Sequence, residues 1–205
     1  MRLYHHPVSS NARRVLLTIA QLGIQVDSVE LNLMDAEDRR RLGEVNPNSK
    51  VPVLEDEGLL LWESCAIMQY LADKTPGQTL YPQELKARAD INRWLFWAVQ
   101  HFSPAIGVFT WERVWKPLVT GGTADPAELK RGGEDLEQFA TVLNQHLAGR
   151  EWICGTGLTL ADFAVAAPLM YRERAQLPID NFPHLLAWFD RVQQLDAWKQ
   201  TEHVW

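Results

Sequence analysis

Residues 46–73, NPNSKVPVLEDEGLLLWESCAIMQYLAD, combine two short apolar runs with a turn and the start of a helix. The runs 51–54 and 59–62 bracket Asp56-Glu57-Gly58, which predicts a β-hairpin. The next stretch, 63–74, carries apolar residues at helical spacing, so we predict a helix there. This part of the chain therefore reads as two antiparallel strands followed by a helix.

The residues before this stretch alternate between strand and helix patterns. The apolar start at 2–4 and the β-branched stretch 25–31 predict strands. Helical spacing over 11–22, closed by Gly23, predicts a helix, and 39–45 is a shorter helix candidate. Together with the hairpin and its helix, these elements predict a small α/β domain over residues 1–75.

The residues after 75 have a different character. Thr75-Pro76-Gly77 opens a predicted linker over 76–83, and residues 84–205 carry no convincing strand pattern. Pro104 is expected to kink or split the first long helical segment. We predict an all-helical second domain whose helical segments are 84–115, 127–147, 160–173 and 183–195.

Composition limits the possible partners of this 205-residue chain. Its residues are 46% hydrophobic and 22% charged, an ordinary balance for a globular protein. The net charge of −6 argues against nucleic acid or an anionic membrane as the main partner. Cys65 and Cys154 make neither a disulfide framework nor a metal site. With no bilayer-length apolar run and no signal-peptide pattern, we expect a cytoplasmic protein without a bound metal.

Val51-Pro52-Val53 leaves two backbone geometries open. A proline in an apparent strand belongs at an edge, at a strand start or in a cis bond. From spacing alone, a trans proline at a strand start is the expected case. A cis bond would instead leave the N–H and C=O of Val51 able to pair with an extended ligand.

Glu63 and Ser64 stand where the helix of 63–74 begins. A helix N-terminus attracts a carboxylate, and a neighbouring glutamate could bind an ammonium group. The pair would therefore suit an α-amino acid headgroup, which carries both charges. Taken alone, the sequence favours a structural role, with Ser64 capping the helix and Glu63 complementing its dipole.

Thr159 and Asp162 have the spacing of a capping box with aspartate in place of glutamate. An acidic residue in an enzyme invites a catalytic interpretation. We favour a role for Asp162 in folding.

These motifs, in this order, strongly resemble the cytosolic glutathione transferases. NPNSKVPVL is similar to the segment before that family's cis-proline, and WESCAIMQYLAD is similar to its Glu-Ser-x-Ala-Ile helix. TLADFAVA resembles the buried capping box of the helical domain, and HPVSSNARRVLL resembles the start of the first helix. The resemblance covers the whole chain. It implies an α/β thioredoxin-like N-terminal domain joined to an all-α C-terminal domain.

The resemblance implies that a serine at the first helix donates a hydrogen bond to the glutathione sulfur. HPVSSNARRVL is most similar to the plant-type phi class, which points to Ser9. Ser10 or Asn11 is then expected to cap the helix or support Ser9. The Ser-Ser pair also resembles the zeta isomerase class, which has cysteine where this chain has Asn11.

Further glutathione contacts follow from the same resemblance. Glu63 and Ser64 would hold the γ-glutamyl end, and Val51 would pair with the cysteinyl backbone. Lys50 would bind the ligand backbone or the glycyl carboxylate. Arg39 or its neighbour Arg40 is a further candidate for that carboxylate, although an arginine run is more often a solvated helix face.

The helical domain is expected to contribute the pocket for the second substrate. Family members wall this pocket with helices that correspond to 94–115, where Trp111 and Trp115 are candidates for an apolar or aromatic electrophile. Gln100 lies near the position from which a partner subunit supports the γ-glutamyl amine, so the resemblance also implies a homodimer.

The predicted function is therefore a glutathione transferase that conjugates or reduces a small electrophile, with glutathione as its co-substrate. Peroxidase activity is a possible additional reaction of the same thiolate. Two alternatives stay open. One is a glutathione-dependent isomerase of the maleylacetoacetate type, and the other is a non-catalytic ligand-binding member of the same fold.

Overall fold

The computed structural model describes residues 1–203. The chain divides into two compact units. One contains Met1–Tyr81 together with the residues from Gln194 onward, and the other is Pro82–Gln193. The division falls within the predicted linker 76–83.

The first unit contains four strands and three helices before residue 75. Their order confirms the predicted α/β domain, and most boundaries shift by only one to three residues. The helix expected at 39–45 begins earlier, because Asp35 accepts hydrogen bonds from the N–H groups of Glu37 (2.9 Å) and Asp38 (3.0 Å) and caps it. The elements are β1 (Arg2–His5), α1 (Ser10–Leu22), β2 (Asp27–Glu30), α2 (Ala36–Val45), β3 (Val53–Asp56), β4 (Leu59–Trp62) and α3 (Ser64–Lys74).

The strands form one mixed sheet in the order β2-β1-β3-β4. β1 pairs with β2 in parallel and with β3 antiparallel. The hairpin of β3 and β4 is closed by Glu57 and Gly58, which both have positive φ (49° and 88°). Such a turn matches the twist of the flanking strands, so the predicted hairpin is confirmed.

Alternate residues of the strands pack on opposite faces of the sheet. On one face, Tyr4 of β1 and Val53 of β3 pack with Leu42 of α2. Their neighbours Leu3 and Leu54, which pair with each other across β1 and β3, are also fully buried. Burial on both faces explains why this short sheet is the centre of the unit.

The Val51–Pro52 peptide bond is cis. The expectation of a trans bond, drawn from spacing alone, is wrong, whereas the cis-proline implied by the family resemblance is found. The spacing of the residues around this proline does not by itself fix its isomer. Here Asn46 donates from Nδ2 to the carbonyl oxygen of Lys50 at 2.7 Å.

The second unit is helical, and no strand occurs in its described residues 82–193. This observation confirms the predicted all-helical character. Its α-helices are α4 (Leu85–Trp97), α5 (Ser103–Thr110), α6 (Lys116–Thr120), α7 (Pro126–His146), α8 (Leu160–Ala166) and α9 (Pro183–Gln194). None of the helices within residues 1–203 combines the length and the apolar character needed to cross a bilayer.

The first long helical segment is interrupted on both sides of α5. Five-residue π-helical turns occupy Ala98–Phe102 and Trp111–Trp115. Pro104 lies in the first turn of α5, where a proline is tolerated because the N–H it lacks has little role there. The break therefore precedes the proline, and a second break occurs that the sequence pattern did not predict.

The last helix, α10 (Asp196–Gln200), packs with the first unit rather than with the helical domain predicted over 84–205. The guanidinium of Arg13 lies 3.9 Å from the ring centroid of Trp198. It also donates to the Trp198 carbonyl oxygen at 3.3 Å. Burial lowers the pKa of Arg13 to about 10. This buried cation–π contact ties α10 to α1.

The capping box at the start of α8 is present as predicted. Asp162 is fully buried and accepts from the N–H and hydroxyl of Thr159 at 2.8 and 3.0 Å. It also accepts from the Ile153 N–H and from Nε1 of Trp188, both at 2.9 Å. Burial raises the pKa of Asp162, and these four donors act in the opposite direction. The residue thus joins the 153 loop, α8 and α9.

Candidate functional site

A cavity of about 450 Å³ opens in the first unit at the N-terminal end of α1. Its volume lies in the range of small-molecule sites. Both apolar side chains and polar groups line it. Ser9, Asn11, Leu33, Arg39, Lys50 and Val51 are among these lining residues.

Ser9 occupies the N-cap position of α1. Its hydroxyl oxygen accepts from the N–H of Ala12 at 3.2 Å, and its carbonyl oxygen accepts from the N–H of Arg13 at 2.8 Å. Within residues 1–203 no acceptor takes the hydroxyl proton of Ser9. The side chain can therefore cap the helix and still donate a hydrogen bond into the cavity.

Ser10 and Asn11 are the first and second residues of α1. Of the two roles expected for them, capping the helix is wrong, because the N–H of Ser9 donates to the His6 carbonyl oxygen (3.0 Å) and Ser9 takes the cap position. Support of Ser9 by one of them stays a prediction. Asn11 lines the cavity, whereas Ser10 is not among the lining residues.

Lys50 and Val51 reach the cavity because a buried asparagine organises the loop before them. Asn46 accepts at Oδ1 from the N–H of Asn48 (3.0 Å), in addition to its bond to the Lys50 carbonyl. Val51 is itself buried, packed with Leu42 at the side of the cavity. The predicted sulfur-binding and backbone-binding residues are thus brought to one opening.

Arg39 and Arg40 differ in what their guanidinium groups contact. Arg39 lines the cavity, and its Nη1 donates to the carbonyl oxygens of Leu33 (3.1 Å) and Met34 (2.9 Å). Arg40 instead forms exposed ion pairs within α2, with Glu37 and Glu44. Of the two candidates for an anionic group, only Arg39 is held at the cavity.

Glu63 is the N-cap residue of α3, and its φ is +71°. The structural interpretation with Ser64 as the cap is therefore wrong. The Glu63 side chain makes no capping hydrogen bond, although its carbonyl oxygen accepts from the N–H of Ile67 at 3.0 Å. A non-glycine residue at positive φ carries backbone strain, which proteins often concentrate at functional positions.

Ser64 is buried and accepts from Nη1 of Arg14 at 3.4 Å. Arg14 is a fully buried side chain on α1, so it connects the helix that begins at Ser9 to the start of α3.

The residue after Ser64 is a cysteine. Burial raises the pKa of the Cys65 thiol, which makes this cysteine a poor nucleophile. Glu63 and Ser64 are not among the residues that line the cavity.

Sequence reasoning missed Arg14 and Asn46. Both are polar residues with almost no exposed surface, at 0% and 2%. Arg14 follows another arginine in a helix, so it was indistinguishable from a solvated charge. Asn46 belongs to the NPNSKVPVL segment that carries the family resemblance, but the sequence did not predict that its side chain holds the loop before Pro52. The apolar neighbours Val15 and Leu17 on α1 are the one signal that could have suggested a buried arginine.

The candidate residues of the helical domain lie in the second unit. Gln100 is exposed within the first π-helical turn, and Trp111 is 45% exposed at the start of the second. Trp115 contacts Tyr171 edge to face, with ring centroids 6.3 Å apart.

No cluster of three or more side chains suited to a metal ion occurs within residues 1–203. His5, close to Ser9 in sequence, hydrogen-bonds through Nε2 to Oγ of Ser28 at 2.7 Å and is buried. Burial lowers its pKa. It is thus tied to the β1–β2 pair and not to the cavity.

Two family models match this chain. "Glutathione S-transferase, N-terminal domain" matches residues 1–73, and "Glutathione S-transferase, C-terminal domain" matches residues 109–196. Glutathione S-transferase F10 of Arabidopsis thaliana is 29% identical over 204 residues, which cover 95% of this chain and 93% of that relative.

Solved structures with the same architecture include glutathione transferase F7 from Populus trichocarpa. It has a TM-score of 0.89 at 25% identity, covering 98% of this chain and 96% of that one. The theta class glutathione S-transferase from the citrus canker pathogen Xanthomonas axonopodis pv. citri, solved with glutathione bound, has a TM-score of 0.87 at 26% identity. That match covers 100% of this chain and 97% of the other.

Proposed function

Because the chain belongs to the glutathione S-transferase family, we propose that it binds glutathione at the start of α1 and that Ser9 activates the thiol. The observation that carries this proposal is the Ser9 hydroxyl, whose oxygen already accepts from Ala12 while its proton has no acceptor within the described chain. The proposed site needs no metal ion.

The energetic requirement on Ser9 is modest. A free thiol has a pKa of about 8.5, so only a small fraction is thiolate at neutral pH. Lowering that pKa by about two units takes about 2.7 kcal/mol in favour of the thiolate. A hydrogen bond to a charged group supplies roughly 1.5–3 kcal/mol, and a helix N-terminus adds roughly 0.3–1 kcal/mol. A hydroxyl at the N-cap of α1 is therefore sufficient without a general base.

The remaining groups suit the two ends of the tripeptide. The cis peptide before Pro52 supports pairing of the Val51 backbone with an extended ligand. Lys50 and Arg39, both at the cavity, provide positive charge for the glycyl carboxylate. We assign the γ-glutamyl headgroup to Glu63 and Ser64 at the start of α3, with Glu63 binding the ammonium group.

Glu63→Gly is expected to separate ligand binding from stability. Glycine adopts positive φ without steric cost, so the free energy of unfolding should stay constant or rise by up to about 1 kcal/mol. Loss of the carboxylate should raise the Kd for glutathione at least about tenfold. Calorimetric titration and urea unfolding measure the two effects.

Glu57→Gly is the matched control for that variant. Glu57 also has positive φ, but it lies in the β3–β4 turn. It should gain the same relief of backbone strain and leave the Kd for glutathione unchanged. Equal Kd values for wild type and Glu63→Gly would remove Glu63 from the proposed site.

The proposed reaction is attack of the glutathione thiolate on an electrophilic atom. The sulfur electron pair forms the new bond, and the bond to the leaving group breaks and carries its own electron pair away. The enzyme supplies proximity and stabilises the sulfur anion. Conjugation of glutathione to chlorodinitrobenzene, followed by absorbance, tests this activity, and absence of turnover together with absence of glutathione binding would contradict the proposal.

For the second substrate we propose an apolar or aromatic molecule. The support is the partly exposed indole of Trp111 and the aromatic contact of Trp115 in the helical unit. Reduction of peroxides by the same thiolate is a further proposal. A cytosolic location and the absence of a nucleic-acid partner remain predictions, based on the family and on the net charge of −6.

We also propose that the chain forms a homodimer, to which Gln100 of the second copy would contribute. The edge strand β4 leaves Leu59, Leu60 and Trp62 between 38% and 44% exposed, and Phe96 on α4 is 70% exposed. Such exposed apolar side chains favour association with another protein surface.

Sedimentation equilibrium tests the dimer. The chain mass is 23.5 kDa, so a dimer has twice that mass, or 47 kDa. Phe96→Glu should shift the equilibrium toward the mass of one chain, because association would bury an unpaired charge. A wild-type mass of a single chain at micromolar concentration would contradict the dimer.

A further inference from the structure

The turn that leads into α1 is organised by a single histidine. The carbonyl oxygen of His6 accepts from the N–H of Ser9 at 3.0 Å. The imidazole Nδ1 of the same residue accepts from the N–H of Val8 at 3.3 Å. His6 therefore holds, through its backbone and its side chain, two of the N–H groups that immediately precede the helix.

We propose that His6 is a positioning residue for Ser9 and that it acts only with its imidazole neutral. The inference rests on the proposed role of Ser9, because it concerns how that hydroxyl is aimed at the glutathione sulfur. His6 itself is not among the residues that line the cavity. It acts through the backbone of residues 6–9.

The requirement for a neutral ring follows from the hydrogen bond. A backbone N–H can only donate, so the Nδ1 that faces Val8 carries no proton, and the ring proton is on Nε2. In the imidazolium both ring nitrogens carry protons. In the protonated ring, Nδ1 would be a donor facing the N–H of Val8, which is also a donor. The hydrogen bond between the His6 side chain and the Val8 N–H would therefore be lost.

The surroundings of His6 favour the neutral form. Burial lowers its pKa, and so does the positive charge of a protonated His203. Glu30, at the end of β2, acts in the opposite direction. His5, its chain neighbour, couples to it electrostatically but bonds to Ser28 and not to the turn. The switch to the protonated form is therefore expected in mildly acidic solution, below the ordinary histidine value.

Two substitutions of His6 separate the position of its hydrogen-bond acceptor from the ability of the side chain to be protonated. In His6→Asn, Oδ1 lies where Nδ1 was and accepts from the N–H two residues on, the arrangement of an Asx turn, and it does not titrate. In His6→Gln the acceptor lies one bond further out, near the position of Nε2, and the bond from the Val8 N–H to the side chain of residue 6 is lost. Neither variant carries a charge.

The first readout is kcat/KM for glutathione with chlorodinitrobenzene, measured from about pH 7.5 to about pH 5. Near neutrality His6→Asn should match wild type, and His6→Gln should be about two- to tenfold lower, the effect of one lost hydrogen bond. On acidification the ratio of wild type to His6→Asn should fall by a similar factor. Ionisation of the thiol itself cancels in this ratio.

The second readout does not depend on catalysis. In a ¹⁵N-labelled protein the amide signal of Val8 should titrate in step with the His6 ring in wild type and be constant with pH in His6→Asn. If no glutathione-dependent turnover occurs while the Val8 signal still titrates, the proposed function fails and the hydrogen bond stands.

Two results would overturn the inference. One is a Val8 amide signal that does not respond to ionisation of His6. The other is His6→Asn and His6→Gln with the same kcat/KM and the same pH dependence as wild type. Either would mean that the imidazole does not organise the turn that carries Ser9.

Discussion

Replacement of Ser9 by alanine is expected to lower kcat/KM for glutathione by about 10- to 150-fold at neutral pH. The loss corresponds to one hydrogen bond to a charged sulfur, roughly 1.5–3 kcal/mol. The effect should be confined to stabilisation of the sulfur anion, because the helix N-terminus and the rest of the cavity stay in place. Steady-state kinetics with varied glutathione and saturating chlorodinitrobenzene measure the effect.

Ser9 also caps α1, so the alanine variant needs a control for folding. Alanine at an N-cap costs about 1 kcal/mol of stability, whereas glycine costs only a few tenths. Ser9→Gly removes the same hydroxyl and keeps most of the capping preference. Equal kinetic losses in the two variants, with unequal free energies of unfolding, would assign the activity to the hydroxyl and the stability to the cap.

Substitutions of the neighbouring residues Ser10 and Asn11 test whether the effect is specific to Ser9. Ser10 lies within α1 and Asn11 lines the cavity, so either could be argued to reach the sulfur. Ser10→Ala and Asn11→Ala should change kcat/KM by less than about threefold. If one of them abolished turnover while Ser9→Ala left it unchanged, the assignment of the thiol donor would be wrong.

Asp162→Ala is expected to lower the free energy of unfolding by roughly 3–5 kcal/mol. The substitution leaves four buried donors without their acceptor: two groups of Thr159, the Ile153 N–H and the Trp188 indole. Buried donors that lose a partner bear the full cost of their desolvation. Urea unfolding followed by tryptophan fluorescence measures this effect, because Trp188 is one of the affected groups.

Asp190→Ala on α9 is the control, since Asp190 is exposed and should change stability by no more than about 0.5 kcal/mol. The two variants distinguish a folding role from a catalytic one. Under conditions where Asp162→Ala is still folded, its kcat per folded molecule should equal that of wild type. A large loss of kcat without a loss of stability would make Asp162 a functional residue instead.

Local patterns predicted the elements of the first unit well because each element is short and ends at a turn or stop residue of its own. The Glu57-Gly58 turn, the Gly23 stop and the period of the helical runs are all properties of neighbouring residues. The sequence did not predict the π-helical turns at 98–102 and 111–115, since an extra residue in a helical turn leaves the composition unchanged. The fold class was thus accessible and the interruptions were not.

Contacts between distant residues explain the other differences. The last helix joins the first unit because Trp198 packs under the guanidinium of Arg13, 185 residues away in sequence. The cis bond before Pro52 follows a loop in which the Asn46 side chain donates a hydrogen bond to the Lys50 carbonyl oxygen. The position of the last helix has no local signal in the sequence. The cis isomer was implied only by the resemblance of NPNSKVPVL to the family's segment, and not by the spacing of its residues.

For the candidate site, the sequence predicted several of the residues at the cavity, but it predicted their positions in the local structure only in part. Ser9 was expected at the sulfur and Ser10 or Asn11 at the cap, yet Ser9 takes the cap position. The cause is the bond from the Ser9 N–H to His6, which sets where the helix begins. Arg14 was missed because its burial depends on packing between α1 and α3, which is a tertiary property.

The most direct test of the central claim is an ultraviolet titration of the thiolate of bound glutathione, in wild type and in Ser9→Gly. We predict a thiol pKa well below the free value of about 8.5 in wild type, and a return toward that value when the hydroxyl is removed. Tight glutathione binding with the same unshifted pKa in both proteins would contradict the claim that Ser9 activates the thiol, and would indicate a protein that carries glutathione without activating it.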